Sequence, residues 1–106
     1  MQEYELSDFK LGWIIGNFIP SIHRTPEIEI GIKHYIKGQT EARHKQKTAK
    51  EITVVISGSI RMENLILQKG QILMIEPGEY ADFEAVTDCS LVCIKFPSIP
   101  DDKVLA

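Results

Sequence analysis

Apolar and polar residues alternate along most of this chain, and the repeat is two residues. The clearest run is Glu27 to Ile36. Ile28, Ile30, Ile32, His34 and Ile36 occupy one face, and Glu27, Glu29, Gly31, Lys33 and Tyr35 the other. Strand residues two apart share a face, so this run predicts a half-buried β-strand. Trp13 to Phe18 predicts an earlier strand stopped by Pro20, and Ile19 to Pro26 a loop carrying His23 and Arg24. Gly38 to Lys50 is polar and predicts a loop or irregular edge strand. Ile52-Thr53-Val54-Val55-Ile56 is apolar on both faces, which marks Glu51 to Ser57 as a central strand. Shorter apolar runs follow at Ile60 to Glu63, Leu65 to Leu67, Ile72 to Ile75, Tyr80 to Ala85 and Cys89 to Phe96. Gly58-Ser59, Glu63-Asn64, Lys69-Gly70, Pro77-Gly78 and Thr87-Asp88 supply turn chemistry between them. Many short strands separated by turns predict an all-β barrel or sandwich built from antiparallel strands.

Composition narrows the picture. A chain of 106 residues suits one domain over 1–106, with the barrel at 12–97 and a tail at 98–106. The formal net charge is -3, which argues against a nucleic-acid polymer as partner. The one basic cluster, Arg43 to Lys50, reads as a solvated loop. No apolar run reaches the ~20 residues of a membrane helix, and the polar, acidic start at Met1-Gln2-Glu3-Tyr4 is not a secretory signal. Cys89 and Cys93 fall on one face of a strand at about 13 Å separation, too far to bridge. Reduced, buried thiols are expected, and with them a cytoplasmic setting.

One set of spacings carries chemistry: Gly38, His44, Gln46, Glu51 and Gly58, then Gly70 and Pro77-Gly78. These residues resemble the two motifs of the cupin superfamily, the small RmlC-like jelly-roll barrels. The first motif reads glycine, five residues, His-x-His, three or four residues, Glu, six residues, Gly. Gly38, His44, Glu51 and Gly58 match it, and Gln46 takes the place of the second histidine. The second motif ends in Pro-x-Gly, two residues, His. Gly70 and Gly78 match it, the proline has moved to Pro77, and Ala81 takes the place of the histidine. Ala85 replaces a terminal asparagine. The resemblance spans residues 28 to 97 and implies a metal-binding barrel from which most ligands have been removed.

The residues then define the candidates. His44 and Gln46 lie two apart and share a strand face, with Glu51 opening the next strand. His44 and Glu51 are the candidate metal ligands, a divalent metal being the cofactor considered. One imidazole and one carboxylate fall short of the three or four donors of a protein metal site. A hydrogen-bonded His-Glu pair without cofactor is therefore the favoured expectation. His34, on the isoleucine face, is a candidate replacement if that face lines the cavity. Tyr80 and Asp82 flank Ala81 and are candidates for an acid, a base or an oxygen ligand.

The leading functional expectation is a small polar or anionic ligand bound in the barrel mouth by His44, Gln46 and Glu51, helped by Arg43 or Lys45. The resemblance also implies an enzyme alternative. That alternative is a metal-free sugar epimerase or isomerase using His44 or His34 with Tyr80 or Tyr35, or a weakly metal-dependent enzyme. A third expectation is non-catalytic sequestering of a nucleotide or sugar signal. A half-open barrel leaves apolar surface to cover, which predicts a homodimer through Glu27 to Ile36 or Trp13 to Phe18.

Overall fold

The computed structural model describes residues 1 to 106. It contains two short 3-10 turns, Leu6–Asp8 and Lys10–Gly12, and eleven strands. These are β1 (Trp13–Gly16), β2 (His23–Arg24), β3 (Glu29–Tyr35), β4 (Thr40–Gln46), β5 (Lys50–Ser57) and β6 (Ser59–Met62). They continue with β7 (Leu65–Gln68), β8 (Ile72–Ile75), β9 (Ala81–Ala85), β10 (Cys89–Phe96) and β11 (Lys103–Leu105). One sheet has the order β2-β1-β3-β10-β5-β8 and the other β11-β4-β9-β6-β7. Every pairing is antiparallel except that of β1 with β2. From β3 onward the chain changes sheet at nearly every connection, and only the β6–β7 hairpin stays within one. This is a jelly-roll path. No helix is long and apolar enough to cross a membrane.

The change of sheet between β5 and β6 depends on Gly58. Its φ is +78°, and a Cβ there would meet the Asp88 carbonyl oxygen at 2.1 Å. Strand alternation then builds the core. On β9, Ala81, Phe83 and Ala85 are buried, and on β10 Cys89, Leu91 and Cys93. Val55, Ile60, Met62, Leu67 and Ile75 complete the cluster. Each large apolar side chain so buried contributes about 1.5–3 kcal/mol.

One open point is decided and one expectation changes. The face of β3 that looks into the barrel is the polar one. Lys33 pairs with Leu91 and Gly31 with Cys93, and both β10 partners are buried. Paired residues share a face, so Glu29, Gly31, Lys33 and Tyr35 point inward and Ile30, Ile32 and His34 outward. Residues 98–106 do not form a free tail. β11 extends the second sheet along β4, pairing Lys103 with Gln46 and Leu105 with His44. Ahead of it, Asp102 is 5% exposed and accepts hydrogen bonds from the backbone N–H of Thr48 at 3.0 Å and of Ala49 at 2.9 Å. Ser98 is also buried; its hydroxyl donates to Glu29 Oε1 and accepts from the Asn17 N–H. The C-terminal segment therefore holds the β4–β5 turn and the end of β4.

Smaller differences follow the same logic. β1 stops at Gly16, the loop before β3 contains the two-residue β2, and the polar stretch after Gly38 forms a true strand, β4. The outward face of the first sheet carries two apolar ladders. Ile32, Val92, Val54 and Ile72 make one, and Ile30, Ile94, Ile52 and Met74 the other. At their outer ends Ile72 is 62% and Met74 51% exposed.

Candidate functional site

A regular strand would place Glu41 and His44, three residues apart, on opposite faces. The register between β4 and β9 slips between them, so that Glu41 faces Phe83 and His44 faces Ala81. Both β9 partners are buried. The bulge thus turns Glu41, His44 and Gln46 all into the barrel. They meet Lys33 and Tyr35 from β3, Glu51 and Thr53 from β5, and Cys93 and Lys95 from β10 around a cavity of about 210 Å³. Trp13 lies across Gly31, where a Cβ would approach the indole to 2.7 Å. Two lysines lie over its ring, Lys33 Nζ at 4.6 Å and Lys95 Nζ at 4.8 Å from the centroid.

Charges in the cavity are unevenly paired. Lys33, Lys45, Lys95 and Lys103 line it, against Glu41, Glu51 and Glu79. Lys95 approaches Glu29 at 3.7 Å. The Tyr35 hydroxyl donates to Glu41 at 3.0 Å, and burial followed by that carboxylate raises its pKa. Burial also raises the pKa of Glu51, with Lys95 and His44 pulling the other way. The Cys93 thiol is pushed up to about 12 by burial and by Glu51, so it is protonated at neutral pH. His44 Nδ1 lies 2.8 Å from the Ala42 carbonyl and donates to it, so Nε2 is the ring nitrogen not used by that bond. Gln46 is 4% exposed, and its amide Nε2 has no hydrogen-bond partner.

Of the residues singled out in the sequence, the structure brings His44, Gln46 and Glu51 together. It places the other three elsewhere. His34 is exposed on the outer face of the first sheet, with Nδ1 2.8 Å from Ser90 Oγ, because β3 turns its polar side inward. Tyr80 is at the rim, its ring under Arg43 at 5.0 Å and Lys45 at 5.1 Å. Asp82 points outward in a two-point ion pair with Arg61, at 3.0 and 3.1 Å, and accepts from the Glu63 N–H. Ala81 and Phe83 take the inward positions of β9, so strand alternation sends Asp82 out. Glu41 is not legible in the sequence, because the bulge that turns it inward has no local signature. Lys33 did carry a signal, a lysine between Gly31 and Tyr35 inside a half-buried strand.

The donor set does not fit a transition metal. No three His, Cys, Asp or Glu side chains are grouped to hold one, and a neutral amide beside His44 and Glu51 is a poor third ligand.

No family model and no curated protein matches the sequence. Solved structures do match the fold. An uncharacterized conserved protein with a double-stranded β-helix domain from Klebsiella pneumoniae superposes with a TM-score of 0.69 at 21% identity, covering 77% of this chain and 72% of that one. KdgF from Halomonas sp. gives 0.62 at 21% identity, covering 74% of each chain. A cupin protein from Bacteroides fragilis gives 0.62 at 25% identity, covering 70% of this chain and 69% of that one. With its two mainly antiparallel sheets, its turn glycines and these neighbours, the chain has the cupin jelly-roll fold.

Proposed function

We propose that the cavity binds a small organic anion, a compact carboxylic acid, without a transition metal. The observation that carries this reading is Gln46. A buried amide N–H without a partner costs about 1–3 kcal/mol, and a ligand oxygen that the amide turns to meet recovers that cost. Four lysines against Glu41, Glu51 and Glu79 leave an excess of positive charge around the same space, which favours a negatively charged partner. The volume of about 210 Å³ is below the ~300–1,000 Å³ of drug-sized ligand pockets, which favours a compact acid over a nucleotide. Thermal melting in the presence of pyruvate, malate, oxalate, glucuronate and AMP tests the reading. A rise in Tm with one or more of the small acids is expected, followed by calorimetric binding near one molecule per chain. No shift with any acid, or a shift with AMP alone, refutes it.

A homodimer accompanies this reading. The two apolar ladders on the outside of the first sheet supply four strands of contiguous contact, and a second copy with the same face is self-complementary. Sedimentation equilibrium at micromolar concentration should give twice the chain mass.

A further inference from the structure

Lys33 stands in the cavity wall, and none of the five ion pairs of the molecule includes it. Its Nζ donates instead to the Leu11 carbonyl at 2.6 Å. That carbonyl is aimed by a strained turn. Leu11 has φ 51° and ψ 29°, a left-handed conformation that costs a leucine about 1–2 kcal/mol. Gly12 follows at φ +80°, packed so closely on β3 that a Cβ would meet the Ile32 carbonyl oxygen at 1.9 Å. The turn is pinned to the strand that bears Lys33, and it fixes that side chain by one neutral acceptor. A second ammonium, Lys95, lies against the same indole.

An amine in this setting is biased toward its neutral, nucleophilic form by loss of solvent and by a neighbouring cation. Burial is the largest influence and lowers the pKa of Lys33; Lys95 and Lys103 act in the same direction, while Cys93 and Glu41 oppose. Cys93 holds its proton at neutral pH, which leaves Glu41 as the opposing charge, and burial outweighs it. A neutral amine still donates one N–H to Leu11 and keeps its lone pair for the cavity.

We propose that Lys33 captures the carbonyl group of a small keto or aldehyde acid as a Schiff base. This rests on the reading of the cavity as an organic-anion site, with Gln46 and the remaining lysines holding the carboxylate. The Nζ lone pair adds to the carbonyl carbon as the C=O π bond opens onto oxygen. The two N–H protons pass to that oxygen, which leaves as one water, and the C=N bond forms. No oxidant or reductant takes part. Glu51 and His44 line the same space and are the groups able to carry the protons.

The test incubates the protein with pyruvate or glyoxylate and sodium cyanoborohydride at neutral pH, followed by intact-mass measurement and peptide mapping. The expected product is one adduct per chain on Lys33, heavier by the mass of the acid less one oxygen atom. Acetone, which lacks the carboxylate, should label at least about tenfold more slowly, the equivalent of about 1.4 kcal/mol. Lys33→Arg preserves a charged donor for Leu11 and should lose the adduct while melting cooperatively. Lys33→Met removes the amine and the Leu11 contact together and should also remain unlabelled. Labelling spread over exposed lysines such as Lys69, unchanged in Lys33→Arg, overturns the proposal. So does an unmodified chain with both acids. If these acids still raise Tm in that case, the anion site stands and only the covalent step fails; if Tm is also unmoved, both fail.

Discussion

Replacing Gln46 by methionine should move stability and binding in opposite directions. Gln46 is 4% exposed and carries the one buried side-chain nitrogen or oxygen atom without a hydrogen-bond partner. In the free protein that orphaned N–H costs about 1–3 kcal/mol. Methionine is unbranched and of similar length, so it fills the same space without the polar group. After allowance for imperfect packing, the variant should gain roughly 1 kcal/mol, a rise of about 4–8 °C in Tm for a domain near this size. The ligand then loses a hydrogen bond to its charged carboxylate, about 1.5–3 kcal/mol, or roughly 10- to 150-fold in Kd. Scanning calorimetry of the free protein and titration calorimetry with the acid identified by melting give the two numbers. A variant that melts lower than wild type and binds the acid equally well refutes the reasoning. Gln46 would then be an ordinary packing residue whose amide is not spent on a ligand.

Asp102→Asn should destabilise the fold in a pH-dependent way. Burial opposes the charged form of Asp102, but the backbone donors of Ala49 and Thr48 outweigh it and hold its pKa below the usual range. Its contribution is complete above the unfolded carboxyl value near ~3.9 and is lost as pH falls through the lower folded value. The variant should lose about 1–3 kcal/mol at neutral pH and converge with wild type in acid, whereas parallel Tm curves would count against the argument. Glu51→Gln should act with the opposite sign. The folded pKa of Glu51 is raised by burial, so wild type loses stability as pH climbs from about 4.3 through that raised value. Melts across this window should show the variant pulling ahead of wild type, and a constant gap would contradict it. Val92→Lys places a charge in the middle of an outward apolar ladder without entering the core. It should yield a folded monomer by sedimentation, and an unchanged dimer would move the contact elsewhere.

The sequence alone determined the architecture. Period-two alternation, turn residues at each break and the spacing of Gly38, His44, Glu51 and Gly58 specify short antiparallel strands that reverse at set places, because these are local properties of the chain. It also brought His44, Gln46 and Glu51 into one group, since cofacial spacing on a strand survives folding. Tertiary structure decided which face of each strand looks inward. On β3 the apolar face is outward and the lysine face inward, the reverse of what hydrophobicity suggests, because Gly31 and Lys33 pair with the buried Cys93 and Leu91 of β10 and Trp13 packs on Gly31. On β4 a register slip against β9 brings Glu41 to the site, and slips belong to pairs of strands rather than to one. The segment after Pro97 reads as a tail because its anchors are non-local: Asp102 meets the N–H groups of Thr48 and Ala49 across more than fifty residues of chain. Contacts between distant segments leave no periodic trace, and in this protein they set the polarity of the cavity.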